Sequence, residues 1–288
     1  MSLLGHHKKI SIPEISVNEE VLSEVTFNRI REIVYQRSGI SLGDNKQALV
    51  RARIAKRMRQ LDLHRYEDYL EYVIHDGDGE EIQNMLDAIS TNVTSFYREP
   101  AHFDFMRQIL GDWIAGGARG FRFWSAASSS GEEPYTIAIE ALETIGSARI
   151  NIKILATDIS SRVLRISAHG EYSEDRVGPI PKVLRSKYFT RRTEKGRIIY
   201  SVNDNLRERV TFRQFNLSSA PYPLKNPMDI IFCRNVMIYF DRKVRTGMIK
   251  EFYRLLKPGG YLLVGHAESI TGIVKGFKCI KPSIYLKE

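Results

Sequence analysis

Cysteine is scarce. The 288 residues contain two, Cys233 and Cys279. Neither has a Cys or His neighbour at metal-ligand spacing, which argues against a structural zinc site. A disulfide is open on count alone, but nothing else points to an oxidising compartment. Long apolar runs are missing too: none approaches the roughly 20 residues that a membrane helix needs. The opening MSLLGHHKKI lacks the apolar stretch of about 7–15 residues that marks a secretory signal. A cytoplasmic protein without membrane insertion is the expectation. Internal repeats and low-complexity tracts are also absent. What is present is ordinary for a globular chain, with 43% hydrophobic and 27% charged residues. Lys and Arg number 43 against 34 Asp and Glu, a net charge of +9. Such an excess attracts anionic partners, whether nucleic acid, lipid or acidic protein, and does not choose among them.

The length suits two domains. After a tail to residue 18, helical periodicity begins. Val21, Val25, Ile30, Ile33 and Val34 are expected on one side of a helix ending near Ser38-Gly39. Val50, Ile54, Met58 and Leu61 set the buried face of a second helix starting after Asp44. Tyr66 to Ile74 and Glu80 to Ser90 read as two more, separated by the turn Asp76-Gly77-Asp78-Gly79.

From Phe121 the pattern becomes strands alternating with helices. The strands are Phe121–Ala126, Ile152–Asp158, Val210–Phe215, Asp229–Arg234 and Tyr261–Gly265. Helices are expected over Glu132–Ile145, from Ser161, and over Lys243–Leu256, the last stopped by Lys257-Pro258-Gly259-Gly260. This alternation predicts an α/β fold with a parallel, doubly wound sheet covered on both faces. Phe277–Cys279 and Ser283–Leu286 can close the sheet as an antiparallel pair. Gly178-Pro179 and Pro181 break the alternation, and a strand over Arg197–Val202 beside the Lys195-Gly196 turn predicts an inserted β-ribbon.

In an open parallel sheet, ligands sit beyond the carboxyl ends of the strands. The first strand leads into Ser128-Ser129-Ser130-Gly131-Glu132-Glu133-Pro134-Tyr135. Small residues let the backbone approach a ligand closely. A phosphate cradle would want bare amides and a lysine. Two carboxylates stand here instead and suit an ammonium, although acids at a helix start also favour the helix dipole. The second strand ends in Asp158, where an acid commonly meets ribose hydroxyls, or else caps the following helix. An acid for an amine plus an acid for a ribose point to an adenosyl ligand with an amino-acid tail, S-adenosylmethionine. The fourth strand runs into Arg234, Asn235 and Tyr239, polar groups at the mouth of the sheet.

At these residues the chain resembles the CheR-type chemoreceptor glutamate O-methyltransferases. The blocks that carry the likeness are Ser90-Thr91-Asn92-Val93-Thr94-Ser95-Phe96-Tyr97-Arg98-Glu99, Trp124-Ser125-Ala126-Ala127 leading into Gly131-Glu132-Glu133-Pro134-Tyr135, Ala156-Thr157-Asp158-Ile159, and Phe232-Cys233-Arg234-Asn235-Val236-Met237-Ile238-Tyr239-Phe240. Leu256-Lys257-Pro258-Gly259-Gly260 and Gly265-His266-Ala267-Glu268-Ser269 also match. Ser128 and Ser130 depart from the Ala or Cys and Thr often found in relatives, keeping size and hydroxyl character. The likeness implies a class I S-adenosylmethionine-dependent methyltransferase fold, Rossmann-like. It also implies an N-terminal helical domain over 19–91 that docks receptor, a linker over 92–105 covering the cofactor, and a methyltransferase domain over 106–288 with its β-subdomain near 171–206. By the same likeness Asn92, Thr94 and Arg98 border the cofactor. Glu132 or its neighbour Glu133 takes the methionine ammonium, and Asp158 takes the ribose. Asn216 and Leu217 line the adenine, and Asn235 and Val236 border the methionine end. Arg98 would orient the substrate carboxylate and Tyr239 shape the transfer centre, unless Tyr239 is a core aromatic. In some relatives the β-subdomain grips a short peptide at the receptor C terminus.

The implied reaction moves a methyl group to a glutamate carboxylate on the cytoplasmic helical domain of a chemoreceptor, leaving S-adenosylhomocysteine and using no metal. The receptor dock would be Arg53, Lys56, Arg57 and Arg59, neighbours at helical spacing on the second helix, though a charge run is also an ordinary solvated face. One competing expectation is an RNA methyltransferase, which the charge would suit equally, but no Pro-Pro-Tyr or Pro-Cys motif supports nucleic acid as the partner. The other is a cofactor-binding adaptor without catalysis.

Overall fold

The computed structural model describes residues 21–288, so the tail expected over 1–18 lies outside the described residues. The described chain divides into two compact units, residues 21–32 with 43–89, and residues 33–42 with 90–288. Helix α1 (Glu24–Ser38) begins in the first and ends in the second.

The first unit is helical, with α2 (Gln47–Gln60), α3 (Tyr66–Ile74) and α4 (Glu80–Ile89). The buried stripe of α2 is Val50, Ile54, Ala55 and Met58, at the spacing a core-facing helix needs. The expected stripe of α1 is corrected at its start. Val21 and Val25 are both 75% exposed, and the buried residues are Leu22, Phe27, Ile30 and Val34. The helix starts at Glu24, and Ser23 Oγ accepts the Thr26 N–H at 3.1 Å, so a serine cap sets a different phase.

The second unit opens with α5 (Ala101–Ala115), a helix that begins inside the stretch read as linker and directly after Pro100. Then follow β1 (Gly120–Ala126), α6 (Glu132–Ile145), β2 (Asn151–Asp158) and α7 (Ser161–His169). The small subdomain holds β3 (Glu171–Ser173), α8 (Glu174–Val177), α9 (Lys182–Tyr188), β4 (Phe189–Glu194), β5 (Arg197–Val202) and α10 (Asp204–Arg207). Its strands form an antiparallel sheet in the order β3-β5-β4. The chain returns through β6 (Val210–Gln214), β7 (Met228–Cys233), α11 (Arg242–Leu255), β8 (Leu256–Val264), β9 (Phe277–Lys281) and β10 (Ile284–Lys287).

The main sheet has the order β6-β2-β1-β7-β8-β10-β9, parallel through β8, with β10 antiparallel to both neighbours. Alternate side chains divide it into two cores. Phe123, Ile230 and Phe232 pack with Met106 and Leu110 of α5 and Ile137 and Ala141 of α6. Trp124, Ile231 and Cys233 pack on the other face with Met248, Ile249 and Phe252 of α11. Central β7 is buried along its whole length, as a strand covered on both faces must be. Lys257–Gly260 does not separate helix from strand as expected. Met228 pairs with Leu256 and Ile230 with Tyr261, so these four residues bulge out within β8, with Gly259 at a φ of +76°. Both cysteines are free. No helix among the described residues is long and apolar enough to cross a membrane.

Candidate functional site

Strand order reverses between β1 and β7, and the carboxyl ends of β1, β2 and β7 frame the crevice where ligands bind in such sheets. The turn after β1 is held in an unusual backbone. Ala127, Ser129 and Gly131 have φ of 67°, 49° and 97°. Only glycine fits at 131, because a Cβ there would lie 2.7 Å from the Tyr172 hydroxyl and 3.0 Å from Ser167 Cβ. The turn is pinned from every side. Ser128 N–H donates to Thr157 O at 2.8 Å, Ser167 Oγ donates to Ser129 O at 2.8 Å, and Tyr172 donates its hydroxyl to Ser130 O at 2.7 Å.

Asp158, at the tip of β2, is 6% exposed. Its Oδ2 accepts the Ser129 N–H and its Oδ1 the Ser160 N–H, both at 2.9 Å. The helix cap is Ser160, whose Oγ accepts the Val163 N–H, so Asp158 does not serve as the cap. Instead it ties the turn after β1 to the end of β2. Glu132 is fully buried, accepts Ser130 Oγ at 2.8 Å and pairs with Arg176. A carboxylate so enclosed is more than a surface acid favouring a helix dipole. Its neighbour Glu133 is spent elsewhere, on Ser125 Oγ at 2.6 Å and Arg234 Nη1 at 2.9 Å.

Arg234 is the centre of a second cluster. Its side chain is 2% exposed, and its guanidinium donates from Nη2 to Glu99 Oε2 at 3.0 Å and to the Arg98 carbonyl and lies over the Phe103 ring. It thereby joins the segment before α5 to the start of α6. Glu99 also accepts Asn235 Nδ2 at 3.1 Å and the His266 N–H at 3.4 Å. Burial would raise the Glu99 carboxyl, but the Asn235 amide and the Arg234 guanidinium outweigh it and hold it below the usual range. Glu268, also buried, accepts the N–H groups of Asn235, Met237 and Gly265 at 2.7–2.9 Å and fixes the turn in which Asn235 has a φ of 57°. Nothing in the local sequence assigns a role to Glu99 or Glu268. Their only signal was membership in the matched blocks.

The remaining expected residues fall at various depths. Asn92 and Ser129 are joined by a 3.0 Å bond from Ser129 Oγ to Asn92 O, while Asn92 Nδ2 and Ser128 Oγ are buried without a protein partner. Thr94 is half-buried in the same segment. Arg98 is half-buried too, with Nη1 folded back to Val93 O at 2.8 Å. Asn216 is already engaged through its side chain, donating to Arg37 O at 2.8 Å and accepting Ser218 N–H at 2.9 Å. Leu217 is buried in the second core, with Val236 packed against it. Tyr239 is half-buried and its carbonyl accepts the Ser41 N–H at 2.8 Å, so it is not a core aromatic.

Glu99, His102 and His266 bring potential ligand atoms within 4.8 Å of one another. A cation there would face Arg234, which already occupies the Glu99 oxygen. His102 is 1% exposed, and burial first, then the nearby Arg234 charge, push its pKa down to about 4. Concave spaces of about 390 and 590 Å³ lie beside His102 and Lys281 and beside Trp113 and Lys257, and neither includes Glu132 or Asp158.

In the helical unit, the expected receptor patch divides. Arg57 is committed to buried Glu81, at 3.0 Å from Nε and 2.5 Å from Nη2, and Tyr69 donates to the same carboxylate. Arg53 donates to Ala88 O at 2.7 Å. These two arginines join α2 to α4, while Lys56 and Arg59 are exposed.

The family model described as CheR methyltransferase, SAM binding domain, matches residues 92–286, and the one described as CheR methyltransferase, all-alpha domain, matches residues 26–90. A chemotaxis protein methyltransferase of Borreliella burgdorferi is 37% identical over 280 residues, covering 95% of this chain and 96% of the relative. Those of Klebsiella aerogenes and Escherichia coli are 36% and 35% identical over 264 residues, 92% of this chain and 90% and 91% of theirs. The crevice fits S-adenosylmethionine chemically. Two buried carboxylates flank it, the turn over residues 128–135 carries no lysine, and Asn92 Nδ2 and Ser128 Oγ remain to be satisfied.

Proposed function

Because this chain belongs to the CheR methyltransferase family, we propose that it transfers a methyl group from S-adenosylmethionine to glutamate side chains on the cytoplasmic helical domain of chemoreceptors, forming methyl esters. When bound, S-adenosylmethionine supplies an electrophilic methyl group on a sulfonium centre and a neutral thioether leaving group. Glu132 takes the methionine ammonium, because it is bonded to the turn after β1, whereas Glu133 is turned towards Ser125 and Arg234. Asp158, at the tip of β2 beside the turn after β1, accepts the ribose hydroxyls. Asn92 Nδ2 and Ser128 Oγ give polar contacts from the buried side, with Thr94 near them on the linker. Adenine recognition falls to backbone at Asn216-Leu217, because the Asn216 amide is engaged. Asn235 and Val236 border the sulfur end.

A glutamate has a pKa of about 4.3 and arrives ionised, so the reaction asks for no general base and no metal. The protein's work is alignment, worth several kcal/mol when reacting atoms are held in line. Arg98, fixed to the Arg234 cluster through its carbonyl, has a half-exposed side chain to orient the incoming carboxylate. Tyr239 limits the space around the transfer centre. Lys56 and Arg59 on α2 steer the acidic receptor helix.

The observation that carries this reading is the pair of buried carboxylates, Glu132 at the start of α6 and Asp158 at the tip of β2, both bonded to the turn after β1. The test is incubation of the protein with labelled S-adenosylmethionine and receptor-rich membranes. Base-labile label on receptor is expected. Base-stable label on protein, label on added RNA, or none at all would exclude glutamate esterification.

A further inference from the structure

Arg176 stands in α8 of the small β-subdomain, outside every strand-tip motif. Its Nη2 pairs with the fully buried Glu132 and also donates to Ser130 Oγ at 2.6 Å. Its guanidinium lies over the Tyr172 ring, 5.4 Å from the centroid, and Tyr172 in turn donates to Ser130 O. The arginine is thus held against the turn after β1 by stacking and by two bonds. A guanidinium has five N–H donors, and these bonds use one nitrogen. Its side chain is 34% exposed, so part of it remains open to a ligand.

Charge balance gives this arrangement a meaning. Under the proposed function, Glu132 receives the ammonium of the methionine moiety. Yet Glu132 is already neutralised by Arg176, so an ammonium alone would bring a second cation to one buried carboxylate. The methionine moiety also carries an α-carboxylate on the same carbon. If that carboxylate meets the guanidinium, two anions and two cations alternate and the site stays neutral, which a low-dielectric pocket requires. We propose that Arg176 binds the α-carboxylate of the cofactor, so that the β-subdomain contributes directly to the cofactor site. Glu132 and Arg176 together recognise a zwitterion, and the site discriminates against nucleosides that lack the acid. This rests on the cofactor reading above and names a residue which that reading did not use.

Calorimetric titration of the full chain separates the roles. Three ligands are compared: S-adenosylhomocysteine, 5′-(3-aminopropylthio)adenosine, which keeps the ammonium and lacks the carboxylate, and 5′-methylthioadenosine, which lacks both. In Arg176→Gln, S-adenosylhomocysteine affinity is expected to fall roughly tenfold or more, the scale of a lost charge-assisted bond. Affinity for the amine should stay level or rise, and that for methylthioadenosine should not change. Arg176→Lys should recover part of the loss for S-adenosylhomocysteine only. Equal losses for the acid-bearing and acid-free amines would make Arg176 a mere support for Glu132 and overturn the proposal. So would an undiminished affinity for S-adenosylhomocysteine, or lost methylthioadenosine binding in Arg176→Gln. If wild type itself takes up no S-adenosylhomocysteine, the cofactor reading falls first and this inference with it. Wild-type binding without the differential sinks this inference alone.

Discussion

Replacing Arg234 by methionine removes the cation shared by two carboxylates while keeping most of the side-chain volume. The side chains of Glu99 and Glu133 are each 12% exposed, so neither can recover full hydration. Breaking a buried ion pair from one side costs about 3–5 kcal/mol. Glu99 keeps Asn235 and the His266 N–H, and Glu133 keeps Ser125 Oγ, which places the loss near the lower end, about 3 kcal/mol. The pH dependence has a definite sign. In wild type the Glu99 carboxyl is held low, so its stabilisation is present above the unfolded pKa and lost as pH falls. Without Arg234 the main charge opposing burial is gone, the folded pKa rises, and the variant gains relative to wild type on acidification. The gap measured at pH 7 should therefore shrink towards pH 5. Both tryptophans, Trp113 and Trp124, lie in the second unit, so urea unfolding followed by tryptophan fluorescence reports that unit. A loss below about 1 kcal/mol at pH 7, well under what breaking a buried pair costs, or a gap that widens in acid, would refute the assignment of Arg234 as counter-ion to both acids.

His102 gives a separate prediction in the same assay. Its folded pKa near 4 against 6.5 unfolded means the unfolded chain binds the extra proton between those values, so stability falls as pH drops from 6.5. The loss at pH 5 is about 2 kcal/mol, and it should be missing from the slope of His102→Leu. On the helical unit, Lys56→Glu with Arg59→Glu should weaken capture of a receptor cytoplasmic fragment in a pull-down while changing stability by no more than about 0.5 kcal/mol. Arg57→Glu, by contrast, should lower stability by about 3 kcal/mol through repulsion of Glu81, seen as a lower helical melting temperature by circular dichroism.

The strands and the start of α6 were legible because their signals are local: apolar runs bounded by glycine, then acids at a helix start. Helix α5 was missed because it follows Pro100 without a break in a stretch read as a linker, although Phe103, Met106 and Leu110 recur at helical spacing. Val21 and Val25 stay outside the buried face because the helix starts only at Glu24, behind the Ser23 cap. At the site, Asp158 could be found from its place after a strand. Arg234 could be noticed but not understood, since its partners Glu133 and Glu99 lie 101 and 135 residues away in sequence. Arg176 belongs to the same class: it reaches Glu132 across 44 residues, from a segment whose own pattern suggested only an inserted ribbon. Local patterns place the strand tips, and only the folded chain shows which charges answer one another. The basic helix α2 adds the opposite lesson, because spacing grouped Arg53 and Arg57 with Lys56 and Arg59 when their partners divide them.

Residues 33–42 fold with the larger unit although the helical unit separates them from Ser90. Ile40 forms a bridge with Phe240, Ser41 binds the Tyr239 carbonyl, Asn216 holds the Arg37 carbonyl, and Gly39 leaves no room for a Cβ beside Ser218. A polypeptide started at the linker would therefore leave Tyr239 and Asn216 without neighbours that come from residues 33–42. On the ribosome, that early decapeptide must wait until the chain beyond residue 240 has emerged before it can settle. No single cut in the gene releases an intact larger unit.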